Sequence, residues 1–294
     1  INLGHALQEQ GNFPAAINSY KKALKYNPNS PQVHSSLGAT LQRMGDLKAA
    51  ISAYNNALRL KPDYEDALLN LGTALREQGE LYPALSLLKK ALEINPNFPE
   101  AHYNLGNTLR DQGNITGAIE SYNKALQFNP NYPEANWNLS LLMLLCGDYK
   151  NGWEKYEWRS KLKEKPSNPH ASPNCKAWNG EVLEEQTKLL LVSEQGLGDT
   201  LQFMRYALVL REQGIDISLC APPKLHALIQ TSGIDPAPLT PQQANHINEG
   251  MWTSLLSVPR HLKIPHNQLF ITKSYVKPRK EVQHNSASLL SGEA

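Results

Sequence analysis

Residues 65–98 read EDALLNLGTALREQGELYPALSLLKKALEINPNF. Two amphipathic helical patterns flank the turn at Gln78-Gly79, and Pro96 ends the second, because proline lacks an N–H and biases the residue before it away from α. The same skeleton recurs along the chain. Gly4, Gly38, Gly72 and Gly106 lie 34 residues apart, each behind a leucine. The step also links Leu7, Leu41, Leu75 and Leu109; Ala16, Ala50, Ala84 and Ala118; Ala23, Ala57, Ala91 and Ala125; and Pro28, Pro62, Pro96 and Pro130. The glycine and alanine columns read as places where paired helices approach closely, with Tyr20, Tyr54, Leu88 and Tyr122 filling the space between units. Gly11, Gly45, Gly79 and Gly113 supply the turn inside each hairpin. One such unit cannot bury its apolar face, so the units must stack.

A period of 34 with these residue types is similar to the tetratricopeptide family, which implies two antiparallel helices per repeat and an all-α superhelix over residues 1–160. Whole repeats cover 31–64, 65–98 and 99–132, after a partial one at 1–30; Ile1 stands in mid-pattern, so the natural amino terminus is expected to lie further upstream. A fifth unit, 133–166, keeps Leu139, Gly147 and Tyr156 but has Ser140 for the glycine, and Gly152 and Arg159 for the alanines. It reads as a modified terminal repeat, packed on something other than a copy of itself. His34 and His102, two periods apart, are assigned to the surface of the first helix.

Asn2, Asn70, Asn104 and Asn138 form a polar column two residues before the glycines, broken by Ser36. In this fold the first helix of each hairpin lines the concave face, which would set the amides along one groove. An amide both donates and accepts, as an extended polypeptide backbone requires. Bonding between neighbours inside the array is the alternative reading. The array resembles the repeat half of O-linked N-acetylglucosamine transferase, which implies a peptide or protein segment held in the groove by these asparagines.

The period ends near Lys161. Residues 161–180 hold Pro166, Pro169 and Pro173 without a helical pattern and read as a linker, with Trp178 packing on the next domain. Residues 181–294 read as α/β. An apolar run (Leu189 to Val192), a turn (Ser193 to Gly198) and a helical segment opened by Asp199 and reaching Gln213 make a strand, loop and helix. Ile215 to Cys220 is a second strand and Lys224 to Gln230 a second helix, the sign of a parallel, doubly wound, Rossmann-like sheet. Met251 to Val258 and Gln268 to Ile271 are candidates for further elements.

The turn QGLGD is neither GxGxxG nor a Walker loop, and Asp199 read alone is a helix cap. SEQGLGDTLQFMRY, with REQG and ISLCAPPKLHALI after it, resembles the first βαβ unit of heptosyltransferase-like GT-B glycosyltransferases, and more closely bacterial proteins in which tetratricopeptide repeats precede such a domain. GDYKNGWEKYEWR (147–159) and SLLSVPRHL (254–262) share in the likeness. The resemblance implies that 181–294 is the amino-terminal half of a GT-B fold, that Asp199 is the general base, that Gly196 and Gly198 line the substrate cleft, and that a nucleotide-sugar serves as donor without any cofactor. Because GT-B enzymes bind the nucleotide mostly through a carboxyl-terminal half, the chain alone is expected to be inactive. The alternative is a non-catalytic scaffold for protein–protein interaction.

Lys and Arg number 29 against 27 Asp and Glu, which gives no electrostatic case for nucleic acid or an anionic membrane. No apolar run reaches the length of a span, and the expected location is cytoplasmic. Cys146, Cys175 and Cys220 form no CxxC, and the nine histidines form no HxxxH, so no metal site is expected.

Overall fold

The computed structural model describes residues 1–163, 168–263 and 275–277. The candidate element at 268–271 lies outside them. The chain divides into two compact units, Ile1–Leu142 and Met143–Ala294.

The first unit is built of helical hairpins: α1 (Asn2–Glu9) with α2 (Phe13–Tyr26), α3 (Pro31–Arg43) with α4 (Leu47–Leu60), α5 (Glu65–Glu77) with α6 (Leu81–Ile94), and α7 (Pro99–Asp111) with α8 (Ile115–Phe128). The boundary between the units falls inside α9 (Pro133–Leu145). No strand occurs among the described residues before β1 (Lys176–Ala177). Asn12, Asp46 and Asn114 cap α2, α4 and α8 by accepting a backbone N–H three residues on. Gly11, Gly45, Gly79 and Gly113 have φ of 74°, 85°, 87° and 81°, the left-handed turn that a side chain would resist.

The glycine column has a sharper cause than close helix approach. A Cβ on Gly38 would lie 2.7 Å from the Tyr54 ring, one on Gly106 2.6 Å from Tyr122, and one on Gly4 2.5 Å from Tyr20. Each of these glycines is a socket for the aromatic ring of the second helix in its own hairpin, and the rings also fill space between repeats, Tyr20 clustering with Val33 and Leu37 and Tyr54 with Leu71 and Ala74. Tyr20, Tyr54 and Tyr122 are fully buried, and so is Leu88, which takes the ring's place against Gly72. Each buried hydroxyl is satisfied, by Gln8, Gln42 and Asn107 respectively.

His34 and His102 are not free surface groups. Their Nε2 atoms lie 3.0 and 2.9 Å from the carbonyls of Pro28 and Pro96, and His102 is buried against Phe128. Asn136, one period on, donates to the Pro130 carbonyl from the same position. At these three positions the column ties a first helix to the end of the repeat before it, Leu68 being the apolar exception, and burial pushes the His102 pKa below its usual value.

The second unit holds α10 (Tyr149–Tyr156), a 3-10 turn (Glu157–Lys161) and a four-stranded parallel sheet in the order β1-β4-β2-β3. β2 is Lys188–Val192, β3 Asp216–Cys220 and β4 Met251–Ser254. Leu190 sits in register with Ser218 on one side and Trp252 on the other. The helix after β2 is broken at Met204 into α11 (Leu197–Phe203) and α12 (Arg205–Glu212); α13 (Pro223–Thr231) and α14 (Pro241–Ala244) follow β3, and α15 (Val258–His261) follows β4. The stretch read as a linker contributes to this fold. Its Lys176 and Ala177 form β1 against β4, and Trp178 is buried beside His261. A strand of two residues leaves no periodic signal, which is why composition alone reads it as linker.

Candidate functional site

In the first unit successive first helices touch one another, α3 to α5 and α5 to α7, so they form the inner, tighter layer of the array. On that layer a cavity of about 300 Å³ is lined by His5, Gln8, Ser36, Tyr64, Asp66 and Asn70 among others. It brings together one of the asparagines read from the sequence and the serine that interrupts their column.

The asparagines are not equivalent. Asn2 is exposed, while Asn70, Asn104 and Asn138 are half-buried. The Asn104 amide donates to the Glu100 carbonyl in its own helix, at 2.8 Å. Asn138 donates to Asn107 Oδ1 at 2.9 Å and to the Tyr103 hydroxyl at 3.2 Å, and Asn107 also accepts from Tyr122 at 2.7 Å. Asn138 is thereby part of a polar chain that reaches the buried tyrosine. Burial pushes the Tyr122 phenol up to about 12, so it serves as a neutral donor. Asn70 makes no hydrogen bond among the described residues and keeps donor and acceptor free. At the interrupted rung, His5 Nε2 lies 3.0 Å from Ser36 Oγ.

Four residues of this cavity, His5, Gln8, Tyr64 and Asp66, were not singled out in the sequence. Asp66 stands four residues before Asn70, one helical turn away on the same face, which is the signal that would have found it. Burial and the carboxylates of Glu65 and Glu100 push the Asp66 pKa up. The inner layer at this point is therefore rich in acceptors. Lys61, whose ammonium lies 4.9 Å from the centre of the Tyr64 ring, works against that rise in the Asp66 pKa.

In the second unit the loop after β2 carries the other residues read from the sequence. Asp199, half-buried, accepts the Gly196 N–H at 3.2 Å, the arrangement of a helix cap. Gly196 and Gly198 are exposed; a Cβ on Gly198 would meet nothing within 4 Å, and one on Gly196 only the Asp199 carboxylate. The loop's left-handed residue is instead Gln195, with φ of 61°. Arg205 lies over the Tyr275 ring and donates to its hydroxyl at 3.2 Å. No group of three metal-ligating side chains occurs among the described residues. No helix among them is long and apolar enough to cross a membrane.

The TPR repeat family profile matches residues 4–45, 43–79, 72–109 and 106–145. Among solved structures the chain is similar to pilF of Pseudomonas aeruginosa, with a TM-score of 0.54 and 21% identity, over 72% of this chain and 83% of that one. It is also similar to TTC0263, a thermophilic TPR protein of Thermus thermophilus, at 27% identity and a TM-score of 0.48, over 56% of this chain and 89% of that one. MamA is similar at 27% identity and a TM-score of 0.48, over 56% of this chain and 96% of that one. A comparison with curated proteins finds no match.

Proposed function

We propose, from the premise that residues 4–145 are an array of tetratricopeptide repeats, that this array is a scaffold holding an extended polypeptide segment along its inner layer. The observation that carries the reading is the cavity where Asn70 presents an unengaged amide beside Ser36, Tyr64 and Asp66. An unengaged amide can pair with both groups of a peptide unit, and the carboxylates of Asp66 and Glu100 around it favour segments with N–H or cationic side chains. Asn2, Asn104 and Asn138 extend the line in both directions. Asn138 contributes chiefly its Oδ1, since its amide N–H groups are spent inside the array.

The test is capture of fluorescently labelled extended peptides by the whole chain and by Asn70→Ala and Asn104→Ala variants. Asn70→Ala should weaken binding about five- to tenfold, the effect of one lost hydrogen bond, with helical content unchanged. Equal affinity for all three proteins would reduce the asparagine column to a packing feature.

A second reading rests on the parallel sheet, whose order places a glycine-bearing loop at the carboxyl end of β2, between strands reached by connections on opposite sides. Open α/β sheets take ligands at such a place. On this reading the second unit is the amino-terminal half of a GT-B glycosyltransferase, the repeats recruit its polypeptide acceptor, and Asp199 is the general base toward a nucleotide-sugar donor. Nucleotide release from sugar nucleotides should then fall about a hundredfold in Asp199→Asn, in a protein extended through a donor-binding half. Equal release by both forms would leave Asp199 with its capping role alone.

A further inference from the structure

We propose that the crevice at the carboxyl edge of the sheet, between β2 and β4, is a guanidinium-binding site that the chain fills with its own Arg159. The chain leaves β2 for β3 on one side and returns in β4 on the other, so the connections part at the β2–β4 border. Glu194 follows β2, Ser254 ends β4 and Ser257 lies in the turn after it. All three side chains converge on Arg159, which comes from the 3-10 turn after α10.

Arg159 Nη2 donates to Glu194 Oε1 at 2.7 Å, to Ser257 Oγ at 2.9 Å and to Ser254 Oγ at 3.3 Å. Its Nε faces Glu194 Oε2 at 3.4 Å, so the carboxylate meets one edge of the fork. Nη1 donates to Glu157 Oε1 at 2.8 Å and to the Tyr156 carbonyl at 3.3 Å. Ser257 donates to Glu157 and Ser254 to Glu194, so both carboxylates are themselves held. The Tyr156 ring lies 5.0 Å below the guanidinium carbon. Arg159 is 3% exposed and Glu194 2%. Burial works against the charge of Arg159, and its bonds to Glu194 and Glu157 more than offset that, so its pKa lies above the usual value.

This is a built receptor for a flat cation, with acceptors placed along two edges of the fork and an aromatic face beneath. Repeat packing does not account for it. Arg159 stands one period after Ala125, in a column of small residues, so a repeat would put alanine there. What the position serves is the sheet. Two carboxylates at the crevice also decide its ligand class: it takes a cation and repels a pyrophosphate.

The experiment is chemical rescue in the whole chain. Arg159→Ala leaves Glu194 buried without its partner, and the melting midpoint of the second unit should fall by about 10 °C. Millimolar guanidinium chloride should raise the Arg159→Ala midpoint by several degrees, while tetramethylammonium chloride at the same concentration should not. Arg159→Ala/Glu194→Ala, which has no carboxylate left at the end of β2, should show no such rise. If Arg159→Ala does not fold unaided, guanidinium present during refolding should recover it. Wild-type stability in Arg159→Ala, equal rescue by both cations, rescue of the double variant, or no recovery with guanidinium would each overturn the proposal.

Discussion

A Cβ on Gly106 would come within 2.6 Å of the Tyr122 ring, and that ring cannot retreat, because its hydroxyl is fixed on Asn107 at 2.7 Å. Gly106→Ala should therefore lose about 1–3 kcal/mol to overpacking, only partly offset by about 1 kcal/mol of better helix propensity. At Gly72 the neighbour is Leu88, whose nearest atom would lie 2.9 Å away and whose side chain can rotate. Gly72→Ala should cost less, and urea denaturation of the two variants should rank them in that order. His102 gives a prediction in pH. Its folded pKa lies below the unfolded value of about 6.5, so the unfolded chain binds the proton more readily. Its contribution is present above pH 6.5 and fades as pH falls through that value toward the folded pKa. His102→Asn can keep the bond to the Pro96 carbonyl, as Asn136 does with Pro130, and should flatten the loss of stability between pH 7.5 and 5 in urea titrations.

Among the elements, hairpins were legible because packing repeats them: the glycine socket, the alanine contacts and the terminating proline each recur every 34 residues. β2, β3 and α13 were legible from apolar runs and their glycine or proline ends, within about a residue. β1 was not, since two residues cannot show a pattern, and the break at Met204 was not, since helical sequence continues across it. The asparagine column shows the limit of reading a site from spacing. One step in sequence places Asn70, Asn104 and Asn138 alike, but the neighbours that engage two of them, Glu100 and the Tyr103–Asn107 pair, lie on only part of the array. Asn138→Ala should consequently behave differently from Asn70→Ala. It removes two hydrogen bonds from a chain ending in a buried tyrosine and should lower the stability of the first unit by about 1–3 kcal/mol in urea, whereas Asn70→Ala should change it by less than about 0.5 kcal/mol.

At the scale of the whole molecule, the two units tolerate length changes by different rules. In the repeat array each hairpin meets mainly its neighbours, and the chain enters and leaves a repeat in the same geometry at Tyr64 and Phe98. Removing residues 65–98 joins Tyr64 to Pro99 as α4 is now joined to α5, so every socket and proline keeps its partner. That protein should stay folded, lose helix in proportion to two elements by circular dichroism, and lose peptide capture with Asn70 and Asp66. Removing another stretch one period long, 133–166, should have a different result even though it also keeps the register. It takes away α10 and Arg159, leaving Glu194 buried at the end of β2 with no cation opposite it. The second unit should then lose its cooperative thermal transition while the hairpins before residue 133 keep theirs. Two intact transitions after deletion of 133–166 would show that α10 belongs to the repeats in substance as well as in spacing.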